Sequence, residues 1–328
     1  MADTMPITQG ELYPPIVPPR TQFSFETAIT LPFRTSGGRQ FAFRLFGWTT
    51  LIMAVIVMLA GPLMLEPFID FMDAAERMES IEGETDPDII MAEMGGFFAV
   101  FGRFMLAIFL LTFGLWFVWV SAEAALHRKV FRDEEAPRLP LRFGRDELRV
   151  AGAQALVTLM NIGVYIGAIV LGVITIGIGF LITIPGMIFL FFFLILSYCA
   201  ASALSVRDGR FRFGESRRVT KGRKGALLGT YVVITILGYV AMTIIQTIAL
   251  QLVLGSSFGE TLLGSTTGTL DYESLSASLT STKALVGWVA FSAFYAAIYA
   301  VWYLALSGVG AYALLWYEQD AGDVSVFD

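Results

Sequence analysis

Catalysis needs a nucleophile, a base and a charge-stabilising group that one fold can bring together, and few residues here meet that demand. Gly255-Ser256-Ser257-Phe258-Gly259 matches G-x-S-x-G, but that motif works through a strand-to-helix elbow and a histidine base. His127 is the one histidine. Its flanks place it across a membrane from Ser257, so the match is read as chance. No G-x-x-x-x-G-K-[ST] loop, H-E-x-x-H pair or dinucleotide fingerprint occurs. The lone cysteine, Cys199, excludes a disulfide framework within the chain and a Cys-based zinc site. An intramembrane enzyme would have to draw on Ser257, Glu123 or His127, and the expectation is no enzyme, no cofactor and no metal.

The chemistry these residues suit better is electrostatic. Residues 207–224 hold eight Lys/Arg, and residues 128–149 hold seven. From these, Arg142, Arg145, Arg149, Arg212, Arg217, Arg218, Lys221, Arg223 and Lys224 are candidate contacts for lipid headgroups or a protein partner. Anionic inner-leaflet lipid attracts such segments. They lack base-stacking context and sit beside apolar runs, so nucleic acid is not an expected partner. A second set is polar but intramembrane: Arg103, Asn161, Gln246 and Gln251. Arg103 is expected to snorkel outwards or to pair with Glu66 or Asp70, since a buried charge in hydrocarbon is costly. The glutamines suit bonds to neighbouring helices or, alternatively, a substrate site. Ten acidic residues between Glu66 and Glu93 face a single Arg77. Carboxylate oxygens suit a hard divalent cation, but there is no EF-hand order and a solvated acidic face explains the same residues.

The elements that must position these groups are membrane helices. Apolar residues make up 56% of the 328, charged residues 15%, and there are 28 Phe, which is too little polar cover for a soluble domain of this size. The run from Pro185 to about Leu204 carries no charge, and its 20 residues suffice to cross a hydrocarbon core of roughly 30 Å. Further spans are predicted at about 45–65, 97–126, 150–172, 226–254 and 284–315. Phe68, Met72, Ala75 and Met78 recur at helical spacing, so the first helix is expected to continue beyond the membrane and stop near Gly83 and Pro87. Gly163 and Gly167 form a small-xxx-small pair suited to close helix approach. Pro185 is expected in the first turn of the fourth span, after an outer turn broken by Gly177 and Gly179. Glu123 and His127 are expected in the interfacial zone at the inner end of the second span.

Charge sets the orientation. This topology puts 19 of the 22 Lys/Arg on one side, two on the other and one within a span, so the basic side is read as cytoplasmic, with both termini inside. Residues 1–22 are read as a disordered cytoplasmic tail without the apolar core of a signal peptide. Residues 316–328 form an acidic cytoplasmic tail. A repeat supports the count: Leu141-Arg142-Phe143-Gly144 with Gly152 recurs as Phe211-Arg212-Phe213-Gly214 with Gly222. Phe23-Ser24-Phe25-Glu26 reads as a third copy. The fold class is therefore all-α: a polytopic bundle of six transmembrane helices in three hairpins (about 45–126, 150–204 and 226–315), each preceded by a short amphipathic interfacial helix.

Ile184-Pro185-Gly186 opening a span, Arg207-Asp208-Gly209, Phe213-Gly214-Glu215-Ser216 and Thr220-Lys221-Gly222-Arg223 together resemble the bacterial YciC-like membrane proteins. These are similar in turn to the membrane domain attached to some glycerophosphoryl diester phosphodiesterases. The resemblance covers about residues 140–250 and departs at Arg217, where the family pattern often carries Trp. It implies a multi-span bacterial inner-membrane protein with no settled activity; the phosphodiesterase activity belongs to a separate soluble domain, for which no segment here has room. The expected role is a non-catalytic scaffold or lipid binder with anionic lipid, a protein partner or a second copy as ligand. The alternative is a transporter or channel for a small solute or lipid.

Overall fold

The computed structural model describes residues 24–34, 38–81, 86–134, 139, 141–175, 180–264 and 282–324. The expected N-terminal tail 1–22 and the broken turn at Gly177 and Gly179 lie outside them. Among the described residues there is no strand, and nine helices follow one another: α1 Phe25–Arg34, α2 Gly38–Ser80, α3 Pro87–Arg132, α4 Arg145–Ile174, α5 Phe180–Tyr198, α6 Ala201–Arg207, α7 Ser216–Thr220, α8 Lys224–Gly264 and α9 Thr282–Val324. Hydrocarbon offers no partner for a backbone N–H or C=O, so an apolar run must satisfy these groups within itself. Among the described residues six stretches are long and apolar enough to cross a membrane: Arg39–Gly61, Pro87–Arg132, Arg145–Ile174, Thr183–Arg207, Lys224–Ile248 and Leu285–Glu318. They fit a multi-pass membrane protein.

The helices outrun the bilayer. At 1.5 Å per residue, the 43 residues of α2 extend for about 65 Å, roughly twice the thickness of a hydrocarbon core. The first helix therefore continues through the acidic stretch, as its periodicity predicts, and stops at Ser80. The next start is encoded locally. Asp86 Oδ1 accepts the Asp88 N–H at 2.9 Å, and Pro87, which has no N–H to lose, takes the first helical position.

Three expectations change. Pro185 lies inside α5, which already begins at Phe180, so it removes one interior backbone bond instead of opening the helix. The fourth apolar run spans Thr183–Arg207 as expected, with an interruption at residues 199–200 between α5 and α6. A Cβ at Gly163 or Gly167 would meet nothing within 4 Å, so among the described residues no helix packs against that small-residue face. Short helices do precede α2 and α8, namely α1 and α7, but residues 141–144, ahead of α4, are not helical.

The chain folds into two compact units. Unit 1 comprises residues 1–45, 123–234 and 304–328; unit 2 comprises 46–122 and 235–303. In unit 1, Ala200, Ala203, Leu204, Val219 and Leu314 form a buried core against which Phe131 and Tyr317 pack. Helix α4 lies against α5 and α6. Helix α1 is amphipathic, with Phe25 and Phe33 exposed, yet Thr27, Ala28 and Leu31 are fully enclosed. Ser24 caps it, its Oγ accepting the Thr27 N–H at 3.2 Å, while the Ser24 N–H donates to Tyr312 Oη at 3.3 Å. The repeat has a packing role: a Cβ on Gly152, from the first copy, would lie 3.3 Å from the Phe211 ring of the second. Gly209 (φ 63°) and Gly222 (φ 79°) occupy the left-handed turns on either side of α7, where side chains are strained.

Unit 2 is aromatic. Phe71 of α2 lies between Phe97, Phe101 and Phe104 of α3, with centroids 5.1–5.9 Å away. The Trp288 indole of α9 lies over Gly61 and donates to the Met58 carbonyl at 3.2 Å.

Two glycines of α9 seat the backbone of unit 1 most tightly. A Cβ on Gly308 would come within 2.5 Å of the Ala28 carbonyl oxygen, and one on Gly310 within 2.3 Å of that of Cys199. Backbone cannot swing aside as a flexible side chain can. Gly308→Ala and Gly310→Ala should each lose about 1–3 kcal/mol by overpacking, read as a lower thermal unfolding midpoint of the purified protein. Gly163→Ala and Gly167→Ala, in open space, should leave that midpoint unchanged or raise it slightly.

Candidate functional site

Unit 1 gathers nearly all the chemistry. The C-terminal part of α3 carries Glu123, His127, Arg128 and Arg132 at helical spacing, and α4 begins with Asp146 and Glu147. Arg128 and Glu147 form an ion pair with side-chain exposures of only 5% and 1%, burial that would be costly for either charge alone. Glu134 lies 3.8 Å from the same guanidinium. One turn on, Arg132 pairs with Asp146 at 3.0 Å and donates to the Val206 carbonyl near the end of α6. The two acids also suit the N-terminal dipole of α4. Helices α3, α4 and α6 are thus joined by charge.

The predicted contact residues divide into two groups. Arg142 bonds Glu134 at 2.9 Å, and Arg149 bonds Asp146. Arg212 is held by Glu215, and by Asp208 at 3.2 Å. The hydrogen bond to Glu215 holds its guanidinium above the ordinary arginine range. Arg223 lies 4.6 Å from the Trp316 ring centroid and 5.5 Å from that of Tyr317. Lys224 donates to Ser197 Oγ at 2.9 Å, with its Nζ 3.6 Å from the Phe193 ring centroid. These side chains are committed to the protein. Arg145, Arg217, Arg218 and Lys221 are different: all are exposed, as is Arg210, and none has an acidic partner among the described residues.

The intramembrane polar set is dispersed. Arg103 is exposed in unit 2 and comes within 3.8 Å of Asp70, one of its two expected partners. Asn161 is buried and donates to the Val157 carbonyl of its own helix at 2.9 Å. Gln246 is exposed, and the side chains of Gln251 and Ser257 lie outside the described residues. The acidic stretch between Glu66 and Glu93 is partly described; there Arg77 lies 3.1 Å from Asp73 and 4.0 Å from Glu93.

Glu123 and His127 are enclosed by the protein. Their exposures are 6% and 0%, because α4, α6, α8 and α9 close over that face of α3. Gln154 Nε2 lies 2.5 Å from Glu123 Oε2, and the Ser202 and Ser307 hydroxyls lie beside the same carboxyl. His127 faces the Ser307 backbone, while Tyr231 contacts Cys199 and lies close to Glu123. Gln154 Oε1 and both His127 ring nitrogens are buried without a hydrogen-bond partner. Gln154, Ser202, Tyr231 and Ser307 were not singled out by the sequence; the one signal was polar atoms in otherwise apolar helices. Among the described residues no three His, Cys, Asp or Glu side chains converge as a transition-metal site would require.

Comparison with protein-family models, with curated proteins and with solved structures finds no match to this chain.

Breaking a buried ion pair leaves the surviving charge uncompensated, typically at a cost of 3–5 kcal/mol. Glu147→Ala should destabilise the protein by about 3 kcal/mol, at the low end because Glu134 still neighbours Arg128. Arg77→Ala should cost at most about 1 kcal/mol, since that guanidinium and Asp73 are half exposed. Thermal unfolding of the two variants side by side checks the contrast.

Proposed function

We propose that the chain is a multi-pass protein of the bacterial inner membrane with both termini in the cytoplasm, acting without catalysis as a scaffold that binds anionic lipid. The observation that carries this reading is the set of exposed cations at Arg145, Arg210, Arg217, Arg218 and Lys221. They accompany exposed aromatic rings at Phe143 and Phe211. Cations at the end of apolar helices meet lipid phosphate, while neighbouring rings enter the acyl boundary. Paired arginines such as Arg142 and Arg212 shape this surface and contribute less to binding. The resemblance to YciC-like proteins supports the inner-membrane placement, and the one-sided distribution of Lys/Arg supports the orientation.

A conduit for a small solute is the second reading. The buried polar cluster around Glu123 favours it, since ionisable groups inside membrane helices mark ion pathways. Solute flux that survives neutralisation of the exposed cations would select the conduit.

Replacing Arg210, Arg217, Arg218 and Lys221 by Gln should weaken binding of phosphatidylglycerol or cardiolipin to the purified protein by roughly 1 kcal/mol per cation at low salt. Native mass spectrometry against phosphatidylcholine measures it. Equal binding of both lipid classes by the wild type would overturn the reading. Arg217→Cys should react with an impermeant thiol reagent in inside-out vesicles and stay protected in right-side-out vesicles, whereas the reverse would invert the orientation.

A further inference from the structure

The cluster around Glu123 is a negative group without a positive one. No lysine or arginine pairs with Glu123 among the described residues. The nearest cation on its own helix, Arg128, is committed to Glu147. From α3, His127 faces the backbone of the same Ser307 whose side chain touches Glu123. The other approaches are Gln154 from α4, Cys199 from the α5–α6 turn, Ser202 from α6, Tyr231 from α8 and Ser307 from α9. None of these brings a positive charge. A bare carboxylate in such surroundings costs far more than its hydrogen bonds return. Beside it the buried amide oxygen of Gln154 has no donor, so acceptors outnumber the cations that would satisfy them.

We propose that Glu123, Gln154 Oε1, Ser202 Oγ and Ser307 Oγ form a site for one monovalent cation, a sodium ion that exchanges with a proton. The ligand chemistry is carboxylate, amide and hydroxyl oxygen, which suits hard ions. One carboxylate sets the charge: a monovalent ion makes the cluster neutral, and a divalent ion would leave a net positive charge buried. Exchange conserves that neutrality. As sodium–oxygen contacts break, a proton forms an O–H bond with the Glu123 carboxylate, and the Gln154 amide turns between ion ligand and hydrogen-bond partner. Because the ligands come from α3, α4, α6 and α9, occupancy ties four elements of unit 1 together.

The purified full-length protein is titrated with NaCl at constant ionic strength held by choline chloride. Sodium should raise the thermal midpoint saturably, as a ligand of the folded state does, and choline should not. Sodium should also slow covalent modification of Glu123 by dicyclohexylcarbodiimide, which attacks protonated carboxyls in apolar surroundings; peptide mass spectrometry locates the adduct. Glu123→Gln should abolish both effects. Ser202→Ala and Ser307→Ala, which keep the charge, should each weaken the apparent sodium affinity about tenfold. Modification of Glu123 that sodium leaves unchanged means a proton alone and overturns the proposal. So does a sodium response retained in Glu123→Gln or undiminished in both serine variants.

Discussion

Charge buried among apolar helices has to be answered by another helix, and that requirement organises unit 1. Arg128 could not sit at 4% exposure unless Glu147 arrived from α4, and Glu147 could not be buried without Arg128. The pair therefore fixes where the start of α4 lies on α3. Arg132 repeats the device through Asp146 and extends it to the Val206 carbonyl. Replacing such a pair by hydrophobic residues often costs nothing, so its contribution is best understood as register. Apolar packing between membrane helices is permissive about sliding; a buried ion pair is not.

Close backbone approach supplies the second restraint. Gly308 and Gly310 let α9 meet the Ala28 and Cys199 carbonyls, and the Cys199 contact falls where the fourth apolar run turns between α5 and α6. Beyond it, α6 places Ser202 beside Glu123 and the Val206 carbonyl at Arg132. Gly209 and Gly222 then turn the chain around α7, which leaves Arg217 and Arg218 exposed while Ser216, Val219 and Thr220 are buried.

Much of this was legible in the sequence because the governing signals are local. Length and hydropathy gave the six apolar helices, and periodicity from Phe68 to Met78 carried α2 beyond its apolar run. Pro87 was legible as a break after α2, but it also opens α3, capped by Asp86, about ten residues before the expected second span. What failed was whatever depends on a partner distant in sequence. Pro185 looked like a helix start because nothing nearby says that α5 already began at Phe180. Gly163 and Gly167 have the spacing of a packing face, yet spacing cannot say whether a helix arrives. Nothing near Glu123 and His127 in sequence says that other helices enclose them, and Arg128, which follows, is itself buried against a residue 19 positions away. One basic residue after a span is a weak boundary marker when it has an acid to meet.

The same logic separates the cations of this chain into two kinds. Arg128, Arg132, Arg149 and Arg212 have carboxylate partners and serve the fold, whereas Arg145, Arg217, Arg218 and Lys221 have none among the described residues and face outward. A count of positive charges along the sequence weighs both kinds equally, which is adequate for orientation because insertion precedes pairing. It is inadequate for recognition, since a guanidinium already bonded to an acid offers little to a phosphate. The exposed cationic surface is thus smaller than the basic segments suggest. It is also sharper, a few exposed cations beside exposed rings on helices that ion pairs hold in place.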